Sequence, residues 1–305
     1  MAKISCLLGF LLVQRGSSKN YVQSEVIAFV APTQLIVNRE LVPISLVVPS
    51  IFQEVKCVDI LMRSLVQVTR LPSETIVVAS GDRNLFTNEI SRLKAMLSNY
   101  SSMIPNVKLV LLSGQQHQGV ARNFGANLST NSIISFFDGD DYMHPQRFEI
   151  LYKYLLLYPS VDVILHNYQS FVYEETIKTS HISNVTVMLT PEEIWKRYQA
   201  LGWNHSSDPT TKIKMDSRGI GVGGLRQDYQ RLYLIWVFPE YSSLQNGWST
   251  MKRSVIDAVP FIPFRGAEDS LHNAIVIIRG YNVLAIDSRL GYYRNRVGNQ
   301  RRKSC

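Results

Sequence analysis

The sequence predicts an α/β fold: a mostly parallel central sheet flanked by helices, with an N-terminal extension and an irregular insertion. Three observations predict it. From Pro43 onward, short β-branched and apolar runs alternate with segments of helical period, the rhythm of strands joined by crossover helices. The strand runs are apolar at nearly every position, as strands buried on both faces must be. The chain has 305 residues, 46% apolar and 18% charged, which suits a globular domain with a large core and not a disordered chain.

The elements follow in order. Residues 4–13 (ISCLLGFLLV) fall short of the ~18 apolar residues of a membrane-spanning helix. They read as a buried strand or helix, or as the core of a targeting segment, although no small-x-small cleavage site follows. A hairpin turning at residues 15–20 completes an extension over residues 1–42. Residues 44–48 (ISLVV) open the sheet, and a helix follows around 58–68. Residues 75–79 (TIVVA) form the second strand; Ile90, Leu93 and Leu97 share one face of a helix over 88–97. Residues 107–112 (VKLVLL) are the third strand, and Val120, Phe124 and Leu128 line a helix over 119–128. Residues 133–137 (IISFF) are the fourth; Pro145 opens the next helix. Residues 161–165 are the fifth strand.

The rhythm is lost over the insertion, residues 171–240. One helix is well marked there, with Thr190 as cap, Pro191 at its first position and Glu193 closing a capping box. Gly219, Gly221 and Gly224 fit GxGxxG, but no strong strand precedes them, which argues against a dinucleotide site. Order returns with a helix over 268–279 stopped by Gly280 and a strand over 282–286.

The chemistry concentrates at Asp138-Gly139-Asp140-Asp141. Three carboxylates within four residues repel one another and call for a cation or a network of donors. They stand at the carboxyl end of a buried strand, where open α/β sheets bind ligands. Such hard oxygens favour Mg²⁺ or Mn²⁺, held by one or two carboxylates plus substrate phosphates. The plainer reading is a polar strand-to-helix turn with Asp141 or His144 as helix cap.

Four segments in order carry a family resemblance: Ile44-Ser-Leu-Val-Val-Pro-Ser50, Gly119-Val-Ala-Arg-Asn-Phe-Gly125, Phe137-Asp-Gly-Asp-Asp141 and Gly266-Ala-Glu-Asp269. From about Pro43 to Tyr293, the insertion apart, the chain resembles inverting glycosyltransferase family 2 and its GT-A relatives. The resemblance implies a GT-A (Rossmann-like) fold and transfer of a sugar from a nucleotide diphosphate to an acceptor hydroxyl. It implies that Pro49, Ser50, Asp138 and Gly139 contact the nucleotide sugar. Asp138 and Asp140 would hold the divalent metal, with Asp141 a further candidate. Asp269 would be the general base, with Glu268 beside it; the alternative is an acidic pair at a helix N-terminus. Where the family carries an aspartate pair after its second strand, this chain has Ala79-Ser80-Gly81-Asp82, so Asp82 would serve from a shifted position. Arg122 would steady the acidic cluster or a phosphate, or else lie on the helix surface. His272 is offered as an added metal ligand or a hydrogen-bonded core histidine, and Gly247 and Trp248 as acceptor-site shapers or core. Two rivals stand beside this reading: a catalytically inactive glycan- or partner-binding relative, and a nucleotidyltransferase. The latter lacks its basic glycine-rich loop after the first strand.

Residues 43–170 would then form the nucleotide-sugar half, 241–293 the acceptor half and 294–305 a basic tail. The net charge is +8, and Arg289, Arg294, Arg296, Arg301, Arg302 and Lys303 follow the last acid, Asp287. Such a cluster suits an anionic membrane surface or a diphosphate; no nucleic-acid partner is expected. The acceptor is a glycan, a lipid-linked group or a protein. Three cysteines without a CxxC pair suggest neither a disulfide framework nor a zinc site, and hence a reducing, cytoplasmic location, peripheral to a membrane if the tail docks.

Overall fold

The computed structural model describes residues 3–15, 18–30, 39–172, 176–209, 214–215, 221–222, 237–244, 247–264 and 268–295. Strands β1 (Lys3–Arg15) and β2 (Ser18–Val30) form an antiparallel hairpin in register from Lys3↔Val30 to Arg15↔Ser18. The hairpin extends the main sheet, because Ser24–Phe29 of β2 pair with residues 112–107. Glu25 reinforces that join through ion pairs to Arg83 (3.1 Å) and Lys94 (3.3 Å).

Strands and helices then alternate as expected: β3 (Leu41–Ile51), α1 (Val55–Val66), β4 (Leu71–Gly81), α2 (Thr87–Tyr100), β5 (Val107–Ser113), α3 (Gln118–Leu128) and β6 (Ile133–Phe136). Strands β5, β4, β3 and β6 are parallel neighbours. Successive side chains of a strand face opposite sides, and here both sides are dry. Val47, Ile76, Val78 and Val110 pack on α3 through Val120 and Phe124. Leu46, Val48, Val77 and Leu109 pack on α1 and α2 through Val58, Leu61 and Leu93.

The chain continues through β7 (Tyr142–Met143), α4 (Arg147–Leu157), β8 (Val163–Phe171), β9 (Thr186–Leu189) and α5 (Pro191–Ala200). The two-residue strands β10 (Lys214–Met215) and β11 (Gly221–Val222) pair with each other; then come β12 (Thr250–Lys252), α6 (Arg253–Ala258), α7 (Glu268–Ile278) and β13 (Val283–Arg294). The sheet order is β1-β2-β5-β4-β3-β6-β12-β8-β13-β7, with β9 also on β13. Strand β12 is antiparallel to both β6 and β8, while β8 and β13 are parallel.

Several elements differ from expectation. β8 reaches Phe171 and β13 reaches Arg294, because their ends carry polar residues on an exposed face and β13 shifts register between Ile286 and Arg289 and again before Tyr292. The helix assigned to Pro145 starts at Arg147; Pro145 stays in the turn, where its carbonyl accepts from Thr69 N at 2.8 Å. In the insertion, α5 carries the full capping box of Thr190 and Glu193. Gly221 lies on β11, whereas Gly219 and Gly224 fall outside the described residues. Cys57 on α1 is buried and disulfide-bonded, its partner lying outside the described side chains. One such bond is not a disulfide framework, but it removes the sequence's argument for a reducing compartment. Among the described residues no helix is long and apolar enough to cross a membrane.

Candidate active site

The parallel strands deliver their carboxyl ends to one edge of the sheet. Beyond β6 the chain still follows β3: Phe137 N donates to Val47 O (3.1 Å) and Gly139 N to Pro49 O (3.3 Å). The acidic turn is thereby laid over Pro49-Ser50. A Cβ on Gly139 would come within 3.1 Å of Pro49 O and 3.2 Å of Ser50 Oγ, so only glycine fits comfortably there. Asp141 N closes the turn on Asp138 O at 3.3 Å.

Arg122 ties this turn to α7. It lies on α3 and is 1% exposed, so it is not a surface arginine. Its Nη2 donates to Asp138 Oδ1 at 2.7 Å and its Nη1 to Glu268 Oε1 at 2.6 Å. Two acidic groups 130 residues apart thus share one guanidinium. Burial alone would lower the Arg122 pKa, but Asp138, Glu268 and Asp269 raise it further. Gly247 makes room for this pair: a Cβ there would stand 2.3 Å from Arg122 Nη2 and 3.1 Å from Asp138 Oδ2. Asn123 braces the approach to α7, exchanging two hydrogen bonds with the backbone of Phe261 (2.8 and 2.9 Å).

The carboxyls are held out of water. Burial, with the Asp140 and Asp269 charges, pushes the Asp138 carboxyl up to about 6 against the pull of Arg122. Burial and neighbouring Glu268 also raise Asp269, against Arg122 and Ser270 N, which donates to Asp269 Oδ1 at 2.7 Å. Asp140 is half-buried on the turn. A crevice of about 280 Å³ opens beside them, walled by Pro49, Ser50, Glu54, Gln116, His117 and Glu268.

The acidic turn and Arg122 lie within the span of a family profile, and Glu268 lies beyond it: the Glycosyl transferase family 2 model matches residues 45–219. The chain belongs to that family. The uncharacterized glycosyltransferase YibD of Escherichia coli K12 is 27% identical over 150 residues, 47% of this chain and 41% of that protein. The chain therefore aligns with less than half the length of that curated relative. The crystal structure of Staphylococcus aureus TarS 1–349 superposes with a TM-score of 0.53 at 15% identity, covering 82% of this chain and 60% of that one. At that identity the likeness concerns the fold, which is GT-A.

Within the family 2 frame, other sequence-predicted residues lie elsewhere. Asp141 turns inward: it is 1% exposed and accepts from Arg294 N at 2.9 Å, so it anchors β13 instead of facing a ligand. Burial, with Asp140 and Asp138 close by, raises its carboxyl well above the usual range, against Arg294 and Trp248. His272 is a core residue, 1% exposed, stacked on Phe261 at 3.9 Å and donating Nε2–H to Val259 O at 2.8 Å. Burial draws its pKa down to about 4, and it does not join the acidic turn. Trp248 is 0% exposed and stacked on Phe137 at 4.7 Å, so it cannot touch an acceptor. Asp82 is exposed after β4, closing its own turn with Asn84 N at 2.9 Å, and does not line the crevice. Gly266 lies outside the described residues. Among the described residues no group of three or more His, Cys, Asp or Glu side chains is arranged to hold a metal.

Sequence reasoning missed Asn123, the crevice wall formed by Gln115–Gln118 between β5 and α3, and Tyr293. Burial raises the Tyr293 pKa, as do Asp141, Asp140 and Asp138 facing it. The position of Gln115–Gln118 just past the carboxyl end of a predicted strand was the available signal.

Proposed function

We propose that this chain transfers a glycosyl group from a nucleoside diphosphate sugar to an acceptor hydroxyl, with inversion and with a divalent cation. The observation that carries the proposal is the Asp138–Arg122–Glu268 bridge, which ties the acidic turn to the start of α7 beside the crevice that Glu268, Pro49 and Ser50 line. Asp138 and Asp140 would hold Mn²⁺ or Mg²⁺. They are hard oxygen donors, and two protein carboxylates suffice where diphosphate oxygens complete the shell. Burial raises the Asp138 pKa most, and the Asp140 and Asp269 charges add a repulsion that such a cation would relieve. When bound, the cation supplies neutralisation of the leaving diphosphate.

The rest follows from the chain's own residues. Pro49, Ser50 and Gly139 form the floor against which the donor lies. Arg122 fixes the distance between donor and base sides. Asp269, raised above an ordinary carboxyl, takes the proton from the acceptor hydroxyl. The acceptor oxygen then bonds to the anomeric carbon as the bond to the nucleoside diphosphate breaks on the opposite face, which inverts the centre. A glycan, a lipid-linked group or a protein would supply the hydroxyl, and the basic tail would hold the enzyme near an anionic surface.

The test is nucleotide binding with Mn²⁺ and release of nucleoside diphosphate from a panel of nucleotide sugars. Asp140→Ala should abolish Mn²⁺-dependent nucleotide binding while circular dichroism stays native. Nucleotide affinity unaffected by EDTA would refute the metal assignment, and release of inorganic pyrophosphate would point to nucleotidyl transfer.

A further inference from the structure

Another cavity, of about 310 Å³, lies at the bulges of β13. Its walls include His144, Gln169, Lys178, Ser288 and Arg289. One wall is a segment of the insertion strapped down by side chains. His144 donates Nε2–H to Ser180 O (3.1 Å), Gln146 Oε1 accepts from Ile182 N (2.6 Å), and Tyr292 OH donates to Lys178 O (3.3 Å). The cavity is therefore a built feature of the fold.

Not all of its polar groups are engaged within the chain. Ser288 is 4% exposed and its hydroxyl has no hydrogen-bond partner. It is a donor on the wall of the cavity with no acceptor among the described residues. Lys178 and Arg289 stand exposed at the cavity, and neither is in an ion pair among the described residues. Asp287, the one carboxylate of the wall, is engaged by Asn167 Nδ2 at 2.8 Å. Two cations against one occupied carboxylate leave the wall positive.

We propose that this cavity binds a phosphate group, with Lys178 and Arg289 supplying charge and Ser288 donating a hydroxyl. The site is separate from the donor crevice but joined to it through short backbone links: β7 begins directly after Asp141 and pairs with Gly291 and Tyr292, and His144 N donates to Leu290 O at 3.2 Å. No residue assigned to donor binding or catalysis takes part, so the proposal stands apart from the glycosyl-transfer reading.

Titration calorimetry of the full chain with inorganic phosphate, at constant ionic strength and without nucleotide, tests it. Saturable binding is expected, weakened about 10-fold by Arg289→Ala or Lys178→Ala, the worth of a hydrogen bond to a charged group. Ser288→Ala should weaken it less, and Lys153→Ala, an exposed cation on α4 away from the cavity, should leave it unchanged. Parallel titrations with glycerol 3-phosphate and dimethyl phosphate separate a free anion from a monoester or a diester link of a larger molecule. Absence of saturable binding by all three, or binding indifferent to the Lys178→Ala/Arg289→Ala pair, overturns the proposal.

Discussion

At the scale of single residues the site is a contest between burial and charge. Arg122 and Asp138 are both taken from water, and each is tolerable because the other is present. The Asp138 carboxyl nonetheless titrates at about 6, raised from 3.8, so the folded chain holds that proton more tightly than the unfolded chain. The stabilisation this provides is complete below the unfolded value and is lost as pH rises through the folded one. Metal-free wild type should therefore lose thermal stability relative to Asp138→Asn between about pH 4 and 7. Divalent-cation affinity should rise over the same range as the competing proton leaves. Equal melting temperatures of the two proteins at every pH would contradict the assignment. Asp269 differs in kind, since its substitution addresses chemistry. Asp269→Asn keeps the shape and removes the base, so turnover should fall ~10²–10⁴-fold while donor binding persists. Turnover within a few-fold of wild type would make Asp269 structural.

At the scale of elements, what was legible in the sequence depended on length and on burial of both faces. β3, β4 and β5 are apolar throughout and were readable; so was the acidic turn, because it follows such a strand. β7 and β12 have two and three residues, too few to show any period, and they exist only because β13 and β6 are there to pair with. The same reason hid the parts played by Asn123 and Arg294, and the Glu268 half of the Arg122 bridge, whose partners are distant in sequence and near only after folding. Trp248 shows how folding decides between two readings the sequence left open, acceptor site or core. Its neighbour Gly247 borders the Arg122–Asp138 pair, yet alternation along the segment entering β12 sends the indole inward onto Phe137, His166 and Tyr168. Trp248→Ala should cost about 3–5 kcal/mol in chemical denaturation, as for other fully buried aromatic truncations. An acceptor-site residue would instead raise KM and leave stability within about 0.5 kcal/mol.

At the scale of the whole molecule, Arg294 and the cations that follow it fall into two groups. Arg294, grouped with the tail by sequence, is the last residue of β13. Its backbone N–H holds Asp141, its Nε donates to Asp140 O at 2.9 Å, and its guanidinium covers Phe171 at 4.8 Å. It belongs to the acidic turn. Arg296, Arg301, Arg302 and Lys303 lie outside the described residues and carry no compensating acid in sequence. Near an acidic bilayer each contributes ~1 kcal/mol, enough together for weak, reversible docking. The attraction decays over a Debye length of ~8–10 Å and so should fall steeply with added salt. Two variants separate the groups. A chain ending at Asn295 should keep wild-type nucleotide binding and lose co-sedimentation with anionic vesicles, whereas Arg294→Ala should keep co-sedimentation and weaken Mn²⁺-dependent nucleotide binding by loosening the turn. Equal sedimentation on anionic and neutral vesicles, unchanged by truncation, would remove the docking role and leave the tail's charge without a membrane partner.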